Sequence, residues 1–173
     1  MRKVITAGDL LKSSYHTIAP DRRVADAIGL MLDARADGCG AETLLVIDEG
    51  GAFRGLLTTR QLFQSLLSRW LPEGADATPQ DLDDRQAIEE RLADEGREYL
   101  MLEVGQLMKE DVEPLAPGDR LPRMMRSFAR QQLQSIPVVE AGRVLGVVLV
   151  VDVYETVAQL TITPEDEGIR LDR

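Results

Sequence analysis

Apolar and polar positions along the chain alternate between a helical period and a strand period, and the whole series occurs twice. Apolar residues recur every three or four positions over residues 24–32 and again over 121–129, which predicts two amphipathic helices. Each helix is followed by an apolar run of strand length, at residues 43–47 and 135–139. A glycine-containing turn then leads into a second strand and a closing helix. Each half is therefore predicted to be a β-α-β-β-α unit with a short first strand.

The two units also repeat each other in sequence. Residues 18–24 (IAPDRRV) return 97 positions later as residues 115–121 (LAPGDRL). A unit of this size is too small to bury its own core and must pack on its twin. We therefore expect an α+β fold of tandem repeats with pseudo-twofold symmetry and a cleft between the halves. In the second unit, the side chain of Asp119 is expected to cap the first helix.

A segment without a counterpart separates the repeats. The boundaries that follow are residues 1–67 for repeat 1, 68–103 for an acidic helical insert, 104–160 for repeat 2 and 161–173 for a C-terminal tail. Thr78 followed by Pro79 predicts a helix start in the insert, and Gly96 is expected to break or bend that helix. Residues 73–98 carry ten acids and three bases. The insert is therefore either a solvated cover for the core or a surface for a partner.

Charge and composition argue against several classes of function. The formal net charge is −10, which disfavours binding to the phosphate backbone of nucleic acid. No apolar run approaches the roughly 20 residues of a membrane span, so no membrane association is expected. Cys39 is the single cysteine and His16 the single histidine, which rules out an internal disulfide and a two-histidine metal site. A reducing cytoplasm is the expected location.

The order of elements and three local patterns resemble the CBS domain, named after cystathionine beta-synthase. The patterns are the proline-led entry into each first helix, the strand that contains Ile136 and Pro137, and the strand endings at residues 55–61 and 146–152. The resemblance covers roughly residues 4–67 and 104–160. It implies a CBS pair, or Bateman module. Such modules are regulatory folds that bind adenosine-type ligands between their repeats and commonly dimerise into a flat disc.

The resemblance also implies a ligand site where each second strand ends. In the family, a hydroxyl there contacts ligand phosphate, and an acid three residues later accepts hydrogen bonds from both ribose hydroxyls. A carboxylate suits the second role because it only accepts and can take two donors. Here Thr58 supplies the hydroxyl of the first repeat, but Gln61 replaces its acid. In the second repeat Asp152 supplies the acid, but Leu149 replaces the hydroxyl.

Each of these candidates also has a structural interpretation. Asp152 is alternatively the N-cap of the last helix, and Thr58 an exposed residue at a strand end. The resemblance implies that Ile136 and Pro137 line the wall against the base. The alternative for this pair is a plain buried strand with an edge proline.

These features predict a regulatory, ligand-sensing CBS pair without catalytic activity, because no nucleophile–base or metal constellation is present in the sequence. The ligand implied by the resemblance is an adenine nucleotide (AMP, ADP or ATP) or S-adenosylmethionine. A homodimer is expected, and its output either passes to an unknown protein partner or resides in the oligomer itself. The alternative function is a structural or protein-interaction module with decayed nucleotide pockets, acting through the acidic insert.

Overall fold

The computed structural model describes residues 4–36, 42–70 and 85–161, which form two compact units. The first-repeat unit is residues 15–112, and the second-repeat unit combines residues up to 14 with those from 113 onward. The predictions for Cys39, for the helix start at Thr78 and Pro79, and for the tail beyond residue 161 lie outside the described residues.

The first-repeat unit is built on a three-stranded sheet. Its elements are β1 (His16–Ile18), α1 (Val24–Ala36), β2 (Thr43–Ile47), β3 (Phe53–Thr58), α2 (Thr59–Trp70) and α3 (Arg85–Leu100). Strand β1 pairs in parallel with β2, and β2 pairs antiparallel with β3. A parallel pair needs a crossover connection, which α1 provides. Val24 and Met31 of α1 share a buried core with Leu44 and Leu57 of the sheet.

The insert contributes the long helix α3 to this unit. The expected break at Gly96 is wrong, since α3 continues to Leu100, and a single helical glycine costs only about 1 kcal/mol. Tyr99, near the end of α3, is buried in the core, and its hydroxyl donates a 2.7 Å hydrogen bond to the carbonyl of Leu62 in α2. Burial raises the pKa of the Tyr99 phenol, which keeps the donor proton in place. This end of the insert therefore covers the core.

The second-repeat unit repeats the order helix, strand, strand, helix, and a single bridge at Leu115 stands in place of β1. It contains α4 (Leu121–Gln131), β4 (Ser135–Glu140), β5 (Arg143–Leu149) and α5 (Val150–Thr161). Strands β4 and β5 form an antiparallel pair, and Leu115 adds a parallel bridge to Val138. That bridge corresponds to the pairing of Ile18 with Val46 in the first repeat. The mixture of helices and small sheets confirms the predicted α+β class.

Asp119 does not cap α4. The N-cap is Arg120, which makes no side-chain cap bond. The carboxylate of Asp119 instead accepts a 2.8 Å hydrogen bond from the backbone N–H of Ala116 and pairs with Arg123 at 3.0 Å. Asp119 therefore closes the turn before the helix rather than the helix itself.

The segment that leads into each repeat packs in the compact unit of the other repeat. The first lead segment holds the 3-10 helix Ala7–Asp9, and the second holds Val104–Gln106. The N–H of Ala7 donates to the carbonyl of Asp119 at 2.8 Å, and the N–H of Val104 donates to Arg22 at the same distance. Residues up to 14 therefore belong with the second repeat, and residues up to 112 with the first. This exchange of lead segments between the two units was not part of the repeat boundaries predicted from the sequence.

Each lead segment then adds a short antiparallel bridge to the last strand of its unit. Lys12 and Val147 exchange two backbone hydrogen bonds, of 2.8 and 3.0 Å. Lys109 and Leu56 do the same in the first-repeat unit. The preceding residue on the strand is glycine in both cases. A Cβ at Gly146 would lie 2.4 Å from the carbonyl oxygen of Lys12, and one at Gly55 would lie 2.4 Å from that of Lys109. Glycine is therefore required by the close approach of the two backbones.

Replacing Gly146 by alanine is expected to lower the free energy of unfolding by about 2–4 kcal/mol, because the lead segment must move away and lose its bridge to Val147. Gly29→Ala is the matched control. It lies inside α1 with open space around it, so alanine there should raise stability by about 0.5–1 kcal/mol. Urea unfolding of the two variants and the parent measures both changes. Equal stability of Gly146→Ala and the parent would contradict the requirement for glycine at this backbone bridge.

Candidate functional site

Thr58 and Gln61 are brought together at the start of α2, where they satisfy each other. The carbonyl oxygen of the Gln61 side chain accepts from the backbone N–H of Thr58 at 2.9 Å and from its hydroxyl at 3.0 Å. The N–H of Gln61 donates back to the Thr58 hydroxyl oxygen at 3.2 Å. This is a reciprocal capping box on α2. Thr58 is therefore a helix cap rather than a free residue at a strand end.

Asp152 occupies the equivalent place in the second-repeat unit and is not used in this way. Helix α5 begins at Val150, so Asp152 is its third residue and not its N-cap. One carboxylate oxygen, Oδ2, is buried without a hydrogen-bond partner. Its neighbour is the ammonium group of Lys12, at 3.6 Å. Lys12 comes from the exchanged lead segment and is 52% exposed.

Asp152 departs from a local hydrogen-bond pattern that recurs at five places among the described residues. Elsewhere a side chain accepts a hydrogen bond from the backbone N–H three residues earlier. The described pairs are Thr6 with Asp9, Arg23 with Asp26, Thr58 with Gln61, Glu103 with Gln106, and Ala116 with Asp119. An acceptor so engaged has less capacity left for a ligand. Asp152 instead keeps a buried carboxylate oxygen that accepts no hydrogen bond and has the Lys12 ammonium beside it at 3.6 Å, so it retains capacity to accept from another group.

Ile136 and Pro137 lie side by side on β4 but face opposite sides of it. Ile136 is fully buried in the core of the second-repeat unit. Pro137 is also buried, and its carbonyl accepts from the N–H of Leu115 at 2.9 Å. Strand β4 is therefore bonded on both sides at this point, and Pro137 is not an edge proline as the alternative interpretation assumed. Proline has no backbone N–H to donate to the neighbouring segment. The side-chain amide of Gln131 instead donates to the carbonyl of Glu113 in that segment, at 3.0 Å.

The structure divides the candidate residues between the two units. Thr58 and Gln61 belong to the first-repeat unit, whereas Asp152, Ile136 and Pro137 belong to the second. Among the described residues, no three His, Cys, Asp or Glu side chains are grouped as a metal site. In the same part of the chain, no helix is long and apolar enough to cross a membrane.

Lys12 is the site residue that the sequence analysis missed. The displacement of 97 positions that relates residues 18–24 to 115–121 also relates residues 4–12 (VITAGDLLK) to residues 101–109 (MLEVGQLMK). Extending the comparison pairs Lys12 with Lys109 and Gly8 with Gly105. That signal identifies a lysine beside the strand ending of each unit.

Comparison with known proteins agrees with this architecture. The family model of the CBS domain matches residues 4–68 and 104–159. No curated protein sequence is significantly similar to the chain.

Three solved structures illustrate the fold. CBSX2 in complex with AMP is 20% identical, with a TM-score of 0.62, over 91% of this chain and 98% of its own. A CBS domain pair in complex with 5′-methylthioadenosine and S-adenosyl-L-methionine is 14% identical, with a TM-score of 0.61, over 92% and 100%. A CBS-domain containing protein from Agrobacterium tumefaciens is 19% identical, with a TM-score of 0.59, over 87% and 91%.

Two matched segments that include most of the chain, each with the same order of helices and strands, establish the family. The chain belongs to the CBS-domain family, as a tandem pair of CBS domains.

Proposed function

We propose that this chain is a non-catalytic, ligand-sensing CBS pair whose second repeat binds an adenosine-type ligand through Asp152. The observation that carries the proposal is the buried carboxylate oxygen of Asp152, which has no hydrogen-bond partner. A ribose offers two adjacent hydroxyl donors, and a carboxylate can accept both. The structures of related CBS proteins in complex with AMP and with S-adenosyl-L-methionine support the same ligand class.

The first repeat is a weaker candidate for binding. Gln61 is an amide, so its bond to a ribose hydroxyl lacks the added strength of a charged acceptor. Its carbonyl oxygen already takes two hydrogen bonds from Thr58. A ligand would therefore have to displace the capping box of α2, and losing a cap costs about 1 kcal/mol.

Replacing Asp152 by asparagine is expected to weaken adenosine-ligand binding by roughly ten- to a hundredfold, because a charge-assisted hydrogen bond contributes about 1.5–3 kcal/mol. Titration calorimetry with AMP and with S-adenosylmethionine measures the change. Gln61→Ala is the control in the first repeat and should bind like the parent. The reverse result, with Gln61→Ala losing affinity and Asp152→Asn keeping it, would assign the ligand to the first repeat.

A preceding thermal-shift panel separates this proposal from its alternative. Ligand at a hundredfold excess over Kd stabilises the folded state by about 2.7 kcal/mol, which produces an easily measured rise in Tm. If none of AMP, ADP, ATP or S-adenosylmethionine raises the Tm of the parent, the chain is instead an interaction module with decayed pockets that acts through its acidic insert.

In this proposal Lys12 supplies a hydrogen-bond donor to the ligand phosphate, in place of the hydroxyl that Leu149 lacks. The side chain of Leu149 cannot donate to an anion, whereas the Lys12 ammonium lies 3.6 Å from Asp152 Oδ2 and is half-exposed. An ammonium on a flexible stem can turn toward a second anion without moving the backbone. We therefore assign the ligand's ribose to Asp152 and its 5′ substituent to Lys12.

Lys12→Met is expected to lower the affinity for AMP by about tenfold while leaving the affinity for adenosine within about threefold of the parent. Comparing the two ligands on one variant separates loss of a phosphate contact from general damage to the site. Lys12→Arg should preserve the preference for AMP. If the parent protein binds adenosine and AMP equally, Lys12 makes no phosphate contact, and only the role of Asp152 is retained.

We also propose that the chain acts as a homodimer. Each unit exposes an aromatic side chain at the same place in its second helix, Phe63 at 60% and Tyr154 at 70%. Leu32 is exposed on α1 and Met125 on α4, so each helix pair presents an apolar face. Burying such faces against a second copy is a common way to form a symmetric dimer.

The double variant Phe63→Glu with Tyr154→Glu is expected to be monomeric, because charged groups would be buried in the interface. Light scattering at micromolar concentration should give the 19.2 kDa of one chain for the variant and twice that mass for the parent. Leu145→Glu changes an exposed apolar residue of β5 instead and should remain dimeric. A monomeric parent would overturn the dimer.

A further inference from the structure

An arginine-rich cavity lies on the second-repeat unit, outside the site already described. Its volume is about 460 Å³, which falls in the range of small-molecule sites. Four arginines line it together with three other residues, and the set is called the arginine pocket below. Its members are Arg120, Arg123, Arg126, Arg130, Glu113, Pro122 and Ser127.

The positive charge of the arginine pocket is only partly neutralised. Glu113 pairs with Arg123 at 3.0 Å and also with Arg130, and Asp119 pairs with Arg123 at 3.0 Å. Arg120 and Arg126 have no ion-pair partner among the described residues. Four guanidinium groups therefore face two carboxylates, which leaves a net charge of +2 in a chain whose total is −10.

The fold does not require three of these arginines, whereas Arg120 has an arginine, Arg23, at its equivalent position. The equivalent positions of the first repeat, 97 residues earlier, are Asp26, Gly29 and Asp33 for Arg123, Arg126 and Arg130, and α1 forms a helix with them. The core contacts of α4 come from other positions, including Met124 and Phe128. The arginines lie on the solvent-exposed side of α4. Any polar residue would be compatible with that position.

We propose that the arginine pocket binds a small molecule that carries a chain of two or more phosphate groups. Guanidinium groups recognise phosphate with paired, planar hydrogen bonds. From Arg120 to Arg130 the helix rises about 15 Å, so a single phosphate reaches only part of the row, whereas linked phosphates follow it. The net charge of +2 favours a ligand with at least two negative charges.

This pocket is independent of the proposed adenosine site. Neither Asp152 nor Lys12 lines it, and no ribose or base is needed for the recognition described. A nucleic acid would also supply linked phosphates, but it would have to approach a chain that is strongly acidic overall, which weakens its binding. The geometry therefore favours a small phosphorylated ligand.

Titration calorimetry with inorganic tripolyphosphate, pyrophosphate and phosphate tests the pocket without an adenosine group. The buffers are matched at low ionic strength, because exposed charges are screened by salt. We expect one tripolyphosphate per chain, with at least about tenfold tighter binding than phosphate. Arg126→Gln should weaken tripolyphosphate binding at least tenfold. Arg143→Gln removes the same charge from the start of β5 and should bind like the parent.

Three results would overturn the proposal. Equal weakening by Arg126→Gln and Arg143→Gln would show that only overall charge matters. Binding of several tripolyphosphates per chain would also show that the anion binds by overall charge and not at the arginine pocket. Tighter, Arg126-dependent binding of a single-stranded oligonucleotide would make the ligand a nucleic acid. Asp152→Asn and Lys12→Met should keep full tripolyphosphate affinity, so failure of the adenosine site and failure of the arginine pocket are recognised separately.

Discussion

Both units depend on one backbone contact, the antiparallel bridge between a lead segment and the strand that ends at the candidate site. Lys12 and Lys109 place their carbonyl oxygens where a Cβ on Gly146 or Gly55 would stand. The contact is possible only because these positions lack a side chain. Since the lead segment belongs to the other repeat in sequence, the same contact also ties together distant parts of the chain, 134 residues apart for Lys12 and Gly146 and 54 apart for Lys109 and Gly55. The closed end of each sheet, and with it the position of Lys12 beside Asp152, follows from this bridge.

Much of the fold could be predicted from the chain because its determinants are local. Helical and strand periods are visible in the sequence, and the repeat confirms each half against the other. The exchange of the lead segments could not be read from periodicity, because it depends on which backbone carbonyl meets which glycine. Asp119 illustrates a second limit. A carboxylate two residues before a helix resembles a cap in sequence, yet here it accepts from the N–H of Ala116 in the preceding turn. Gly96 shows that packing, in this case through Tyr99, overrides a weak propensity.

The residues of the candidate site could be predicted from the sequence, but their hydrogen-bond partners could not. Sequence alone shows that each repeat keeps one of two polar groups at its strand ending. It does not show that Gln61 is engaged with Thr58 while a buried oxygen of Asp152 lacks a donor. That difference arises from three-dimensional hydrogen bonding, and it separates the two halves more strongly than residue identity does. Lys12 was missed for a related reason, since its proximity to Asp152 exists only after the lead segment is exchanged.

The same local geometry can serve a helix start or a ligand, and the two uses compete for one acceptor. Thr58 and Gln61 form a closed pair, so the first repeat gains a stable start to α2 and loses an open acceptor. In the second repeat Leu149 has no hydroxyl, and its backbone N–H does not donate to the buried oxygen of Asp152, the third residue of α5. The buried oxygen of Asp152 is left without a hydrogen bond, at a cost in stability that a bound donor can return. The missing hydroxyl does not by itself leave this oxygen open, because the backbone N–H of Ala116 bonds Asp119 without one. In the proposed function, it is this open acceptor that assigns the ligand to the second repeat.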